Sequence, residues 1–255
     1  MQNAWHNVTL SRLMGLCGSL KRSNSSYVVF LKGVFVSIYQ SIEAELSKVG
    51  YPNQRVRTSQ VRGISAKVYK TLESKDIHDV FLVCEELLEK RDWAYGVIAY
   101  DWAFRVKSQY TLETFSTFER WLFTFITDWN DCDDFCTHAF GELVRQHNEL
   151  FEKILSWVEH DNFAVRRAAA VVLIYPINKG SYTGLNAFQI SDLLLKDEHY
   201  LVQKGYGWLL KVLSRKEPQL VKDYLKSNHN QMPRTAFRYA LENFDKHTRQ
   251  EFMVL

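Results

Sequence analysis

Phe163-Ala164-Val165-Arg166-Arg167-Ala168-Ala169-Ala170-Val171-Val172-Leu173-Ile174-Tyr175 is the stretch on which the fold turns. Val171-Val172-Leu173-Ile174 is built from residue types that favour strands. It nevertheless continues the helical pattern begun at Arg167, so it reads as helix. Strand signals are nearly absent elsewhere, and the chain reads as all-α.

The same period extends outward in both directions. Ile38, Ile42, Leu46 and Val49 recur at spacings of three or four. Tyr51-Pro52-Asn53 ends that helix, because proline and asparagine favour a turn. Val61, Ile64, Val68 and Leu72 mark the next. Further helices are expected over 80–88, 93–106, 114–126, 133–144, 150–158, 163–175, 190–195, 199–214 and 219–225. Pro233 opens the last over 234–244, since proline suits a first helical turn. Small residues fall mid-helix at Ala99, Ala139, Ala169, Gly205 and Ala236, separated by 40, 30, 36 and 31 residues. That is an irregular repeat of the length expected for HEAT-like helix pairs. The expected architecture is therefore a helical-repeat solenoid, an α-α superhelix with a concave binding face.

Composition agrees. A chain of 255 residues fits one domain or one elongated array, and 46% apolar with 14% aromatic residues supplies a core. No apolar stretch reaches the roughly 18 residues that a membrane helix needs. Cys17, Cys84, Cys132 and Cys136 show no paired CxxC pattern, and a reducing cytoplasm is the simplest location. The net charge of +3 is uneven. Arg12, Lys21, Arg22 and Lys32 stand in the first 38 residues without an acid, and the remainder nearly balances. A nucleic-acid surface would have to come from local clustering.

Residues 1–36 form an atypical leader, rich in Ser and Asn, and the repeat domain is expected over 37–255. A transit peptide, a disordered basic arm and sequence that is not normally translated compete for the leader. The last is favoured, because Lys32-Gly33-Val34 is what a purine-rich bacterial ribosome-binding site would encode and Val36 fits a GTG start. The mass of the native N-terminal peptide tests this.

Trp129-Asn130-Asp131-Cys132-Asp133-Asp134-Phe135-Cys136 gathers indole and carboxylate in one helix region. Gln203-Lys204-Gly205-Tyr206-Gly207-Trp208 places a second tryptophan beside a cation. Carboxylate near an exposed indole face can hold a cationic, electron-poor group. These segments, together with Arg166-Arg167-Ala168-Ala169 and Met232-Pro233-Arg234-Thr235, resemble the AlkD-type DNA alkylation repair glycosylases, a HEAT-like repeat family. The resemblance covers roughly residues 40–255. It places a Trp-x-x-x-Asp motif on Trp129 and Asp133, a functional arginine on Arg167 and a second functional tryptophan on Trp208. One departure is visible: no counterpart is found for an N-terminal DNA-contacting tyrosine of some members, and Tyr51 lies in a turn.

What the resemblance implies is a monomeric cytoplasmic, nucleoid-associated enzyme without cofactor or metal. It would bind duplex DNA carrying alkylated bases and hydrolyse the N-glycosidic bond of cationic N3- or N7-alkylpurines. Asp133, Trp129 and Trp208 would act on the deoxyribose, and Arg167 with nearby cations would hold the backbone. Lys204, Lys211 and Arg215 share one helix face, as do Arg234 and Arg238. Phosphate contact competes with plain solvation for both sets. Other readings stand beside these. Asp133 can cap a helix, Arg167 can pair with an acid of a neighbouring repeat, and Trp129 and Trp208 can be core. At the level of the whole chain, the alternatives are a non-catalytic binder of branched or bent DNA and a protein–protein scaffold.

Overall fold

The computed structural model describes residues 24–255, and side-chain environments from residue 36 onward. Among the described residues there is helix and no strand. The helices are α1 (Asn24–Lys48), α2 (Thr58–Tyr69), α3 (Ile77–Leu88), α4 (Trp93–Arg105), α5 (Thr114–Phe125), α6 (Trp129–Phe135), α7 (Gly141–Gln146), α8 (Phe151–Ile154), α9 (Phe163–Val171), α10 (Ile174–Lys179), α11 (Ala187–Leu193), α12 (Tyr200–Leu213), α13 (Pro218–Asn228), α14 (Arg234–Leu241) and α15 (Lys246–Met253). Val171 to Ile174 lie in helix and its connecting turn, all buried, as the period requires. None of these helices is long and apolar enough to cross a membrane.

Alternate helices form one continuous row. α2, α4, α6, α9, α12 and α14 each pack on the next in that order. They begin at residues 58, 93, 129, 163, 200 and 234, a repeat of 34–37 residues. The intervening helices back this row, with α3 on α4 and both α11 and α13 on α12. Of the five small residues that suggested the repeat, Ala99, Ala169, Gly205 and Ala236 lie buried on these front helices, and Ala139 lies buried in the segment Cys136–Phe140 that follows α6.

Side-chain caps fix where the front helices start. Asp92 Oδ1 accepts from the Ala94 amide at 2.9 Å, Asp128 Oδ1 from Trp129 at 2.7 Å, and Asn162 Oδ1 from Ala164 at 2.9 Å. The helix expected at 133–144 therefore starts four residues earlier, at Trp129, and Asp128 is its cap. Asp133 sits in the body of α6 and caps nothing. A π turn, Cys136–Phe140, joins α6 to α7. The segment expected as one helix over 150–158 is short 3₁₀ and α pieces.

The repeat is written into the core as well. Trp102, Trp121 and Trp157 are fully buried, and each indole N–H donates to an acceptor one repeat back: the Ser65 carbonyl, Glu85 Oε1 and Glu119 Oε1, at 3.2, 2.9 and 2.8 Å. Such buried N–H groups need partners, and these partners tie neighbouring repeats together. Phe135 packs its ring 4.8 Å from Tyr100 and 5.1 Å from Phe118. With Cys132 also buried, this sets the rotation of α6 and turns Asp133 away from the core.

α1 runs across the boundary expected between residues 36 and 37. The readings offered for the leader fall largely on residues 1–23, outside the described residues.

Candidate functional site

The fifth residue of each front helix is, in order, Arg62, Val97, Asp133, Arg167, Lys204 and Arg238. Five of the six are charged, and only one is acidic. Asp133 is the single carboxylate among them.

Arg167 closes on Asp133 with two parallel bonds, Nε to Oδ1 and Nη2 to Oδ2, both 2.8 Å. Its remaining Nη1 donates to the Leu201 carbonyl of α12. One side chain thus links α6, α9 and α12. The Arg167 side chain is 6% exposed and that of Asp133 19%. Burial alone would lower the guanidinium pKa, but the bonds and charge of Asp133 more than reverse this and hold it above its ordinary value. For Arg167 the sequence leaves phosphate contact and pairing with an acid of a neighbouring repeat as competing readings. Its donors are turned inward on protein acceptors, so structural pairing is what the geometry shows. The carboxylate is held in one orientation with its outer edge at the protein–water boundary.

Gly205 makes room for this arrangement. A Cβ there would lie 3.1 Å from Arg167 Cγ and 3.3 Å from its Nη1. Arg167 lies across α12 because residue 205 has no side chain. Two positions on, Gly207 serves the next interface: a Cβ would meet the Ala236 carbonyl oxygen at 2.7 Å and Tyr239 Cβ at 2.8 Å.

Trp129 stands one turn before Asp133 on the same helix and is 42% exposed. Trp208 stands one turn after Lys204 on α12, half-buried against the core. Lys204 pairs with no carboxylate among the described residues; its Nζ lies 5.0 Å from the Tyr200 ring and 5.8 Å from the Tyr239 ring. Arg238 is exposed and unpaired among the described residues. The other expected cations are engaged or distant. Lys211 pairs with Glu242, Arg215 in the turn after α12 donates to Asn243 Oδ1 at 3.4 Å, and Arg234 donates to the Met253 carbonyl at 2.6 Å. Lys204 and Arg238 thus stand at the same helical position as Asp133 and Arg167 without an acidic partner among the described residues, whereas Lys211, Arg215 and Arg234 are engaged by Glu242, Asn243 and the Met253 carbonyl.

Arg62 was not singled out from the sequence. It reaches past Val97 and α4 to Asp134, the neighbour of Asp133. Burial raises the Asp134 pKa, and Arg62 and His138 oppose that rise. Nothing in the local sequence of Arg62 signals a partner 72 residues away; only the fifth-place register reveals it.

A family model described as DNA alkylation repair enzyme matches residues 47–244. That span contains all six front helices and every residue discussed here except Met253. A solved structure described as a predicted DNA alkylation repair enzyme from Enterococcus faecalis is similar over 75% of this chain and 87% of its own, with a TM-score of 0.62 at 20% identity. At that identity the likeness speaks for the fold. A search of curated proteins finds no match. The family match spans more than three quarters of the chain and coincides with the helical row that carries Asp133 and Trp129, and the chain belongs to the DNA alkylation repair enzyme family.

Proposed function

We propose that this protein is a DNA glycosylase that removes cationic N3- and N7-alkylpurines from duplex DNA by hydrolysing the N-glycosidic bond. One observation carries the reading: a carboxylate locked by a bidentate arginine at the protein surface, one turn from an exposed indole.

The chemistry asks for little more. Alkylation at N3 or N7 makes the purine cationic and a good leaving group. As the bond to the sugar lengthens, positive charge grows on the deoxyribose. Asp133 faces that charge, and because Arg167 fixes its plane, no reorganisation is needed as the charge develops. Preorganised electrostatics of this kind supplies about 3–4 kcal/mol per group. The free lone pairs of Asp133 orient a water toward the sugar carbon. Trp129, and Trp208 across the row, offer indole faces worth about 0.5–2 kcal/mol to a cationic sugar. Lys204 and Arg238 meet phosphates. The lesion leaves as a stabilised base, so neither a cofactor nor a strong general acid is required.

The test is release of 7-methylguanine from methylated duplex DNA. Asp133→Asn should lower the rate at least 100-fold while DNA affinity stays within about threefold, and Trp129→Ala should lower it by roughly 2- to 30-fold. Release no faster than spontaneous loss, with salt-sensitive DNA binding intact, would replace the enzyme with a non-catalytic binder of DNA. No DNA affinity at low salt would leave a protein scaffold.

A further inference from the structure

Three stacked rings lie where α9 and α12 begin. Phe163, the first residue of α9, is half-buried against the core. The His199 ring stacks on it with centroids 4.0 Å apart and planes 14° from parallel. Tyr200 follows His199 at 5.7 Å and 21°. The column leads from the core to solvent, and its outermost ring, that of Tyr200, is 56% exposed.

The two helix starts are tied, which fixes the column. The His199 amide donates to Asp197 Oδ1 at 2.8 Å, and Arg166 of α9 pairs with the same carboxylate. His199 Nδ1 is buried without a hydrogen-bond partner among the described residues. A buried polar atom ordinarily finds one. At that nitrogen the ring forgoes a polar contact and keeps its stacked pose.

A second observation concerns charge. Tyr200, Lys204 and Trp208 recur every four residues on α12 and so share one helix face. Lys204 Nζ lies 5.0 Å from the Tyr200 ring and 5.8 Å from that of Tyr239 on α14. It has no carboxylate partner among the described residues, and the Tyr200 ring stays mostly open with this ammonium beside it. An open ring on an anchored column, next to an ammonium without an acid, suits a flat π-system that carries an anion.

We propose that Tyr200 is a stacking platform for one unpaired DNA base, with Lys204 on the phosphate of the same nucleotide. Bases inside a paired duplex are covered above and below by their neighbours, so only an unpaired or extruded base offers an open face. Stacking on an aromatic ring tolerates every base. The site therefore reads the absence of pairing and not sequence. A ring already held in place loses little freedom when the base arrives. The inference rests on the proposed engagement of DNA and needs nothing from Asp133.

The test is fluorescence anisotropy of the full chain with unmethylated DNA at low salt. Three duplexes are compared: one fully paired, one with an extra adenine bulged from one strand, and one with an extra abasic nucleotide in the same place. The two bulges differ only in the base. The adenine bulge should bind at least about fivefold tighter than the abasic bulge. Tyr200→Phe should keep that difference, and Tyr200→Ala should cut it below about twofold with the abasic affinity unchanged. The Tyr200 ring faces solvent, so both variants retain the fold. Equal affinity for the two bulges in the parent chain, or an undiminished difference in Tyr200→Ala, overturns the inference and leaves DNA binding in place. No salt-sensitive affinity for any of the three duplexes overturns DNA binding itself, and this inference with it.

Discussion

Substituting Gly205 by alanine separates the positioning of Asp133, the carboxylate on which the proposed catalysis rests, from the stability of the fold. In the middle of α12, glycine costs about 0.5–1 kcal/mol relative to alanine, so the helix itself gains from the change. Against this, the new methyl would stand 3.1 Å from Arg167 Cγ and 3.3 Å from Nη1. Comfortable carbon contacts begin near 3.5 Å, so the arginine stem must retreat by a few tenths of an ångström. It is pinned by two 2.8 Å bonds to Asp133 and one to the Leu201 carbonyl. Bonds to charged groups are worth about 1.5–3 kcal/mol each, and partial loss of one roughly cancels the helix gain. The melting temperature should therefore move by less than about 5 °C. The carboxylate, freed to rotate, loses about 1.4 kcal/mol of transition-state stabilisation, and 7-methylguanine release falls about tenfold. The assay pairs base release with the ¹⁵N signal of Arg167 Nε. An undiminished rate together with an unmoved Nε signal would show that Gly205 does not seat the arginine.

Further outcomes are expected. Gly207→Ala places its methyl 2.7 Å from the Ala236 carbonyl oxygen, where backbone cannot yield; it should destabilise by about 1–3 kcal/mol in denaturant titration. Burial, with Asp128, Asp134 and Asp92 nearby, pushes Asp131 up to about 6 from 3.8. Its raised folded pKa means that stability is lost as pH climbs from about 4 to 6, while the unfolded chain ionises and the folded one resists, and the full penalty persists above 6. Asp131→Asn should thus be more stable than the parent at pH 7.5 by an amount below about 3 kcal/mol, reduced by solvent screening, with the difference vanishing near pH 4. Lys204→Ala and Arg238→Ala should each reduce the slope of log affinity against log salt for duplex DNA by about 1, without sequence preference.

The fold was legible because a 34–37 residue repeat forces small residues into one row, and Ala99, Ala169 and Gly205 betray it in one dimension. Trp129 and Asp133 were legible for a related reason, since a four-residue spacing puts both on one helix face whatever surrounds them. What the sequence concealed lies between repeats. The start of α6 was misplaced by four residues because Asp128, its cap, precedes an acid-rich run in which several carboxylates compete for that role. Arg167 was weighed equally as phosphate contact and as structural pair, and only the three-dimensional closure on Asp133 separates them. Lys204 and Lys211 share a helix, but it ends at Leu213 and leaves Arg215 in the turn that follows, and Glu242 from the next repeat occupies Lys211. Partners 31 and 34 residues away leave no local trace.

Arrays of this kind normally fray from their ends, because each unit holds only its immediate neighbours. Arg62 breaks that rule by grasping Asp134 two helices along the row. Loosening of the first unit is thereby felt in the third, beside the residue on which the chemistry is proposed to rest. A partner that tugged on the amino-terminal helices would have a mechanical handle on the centre of the molecule.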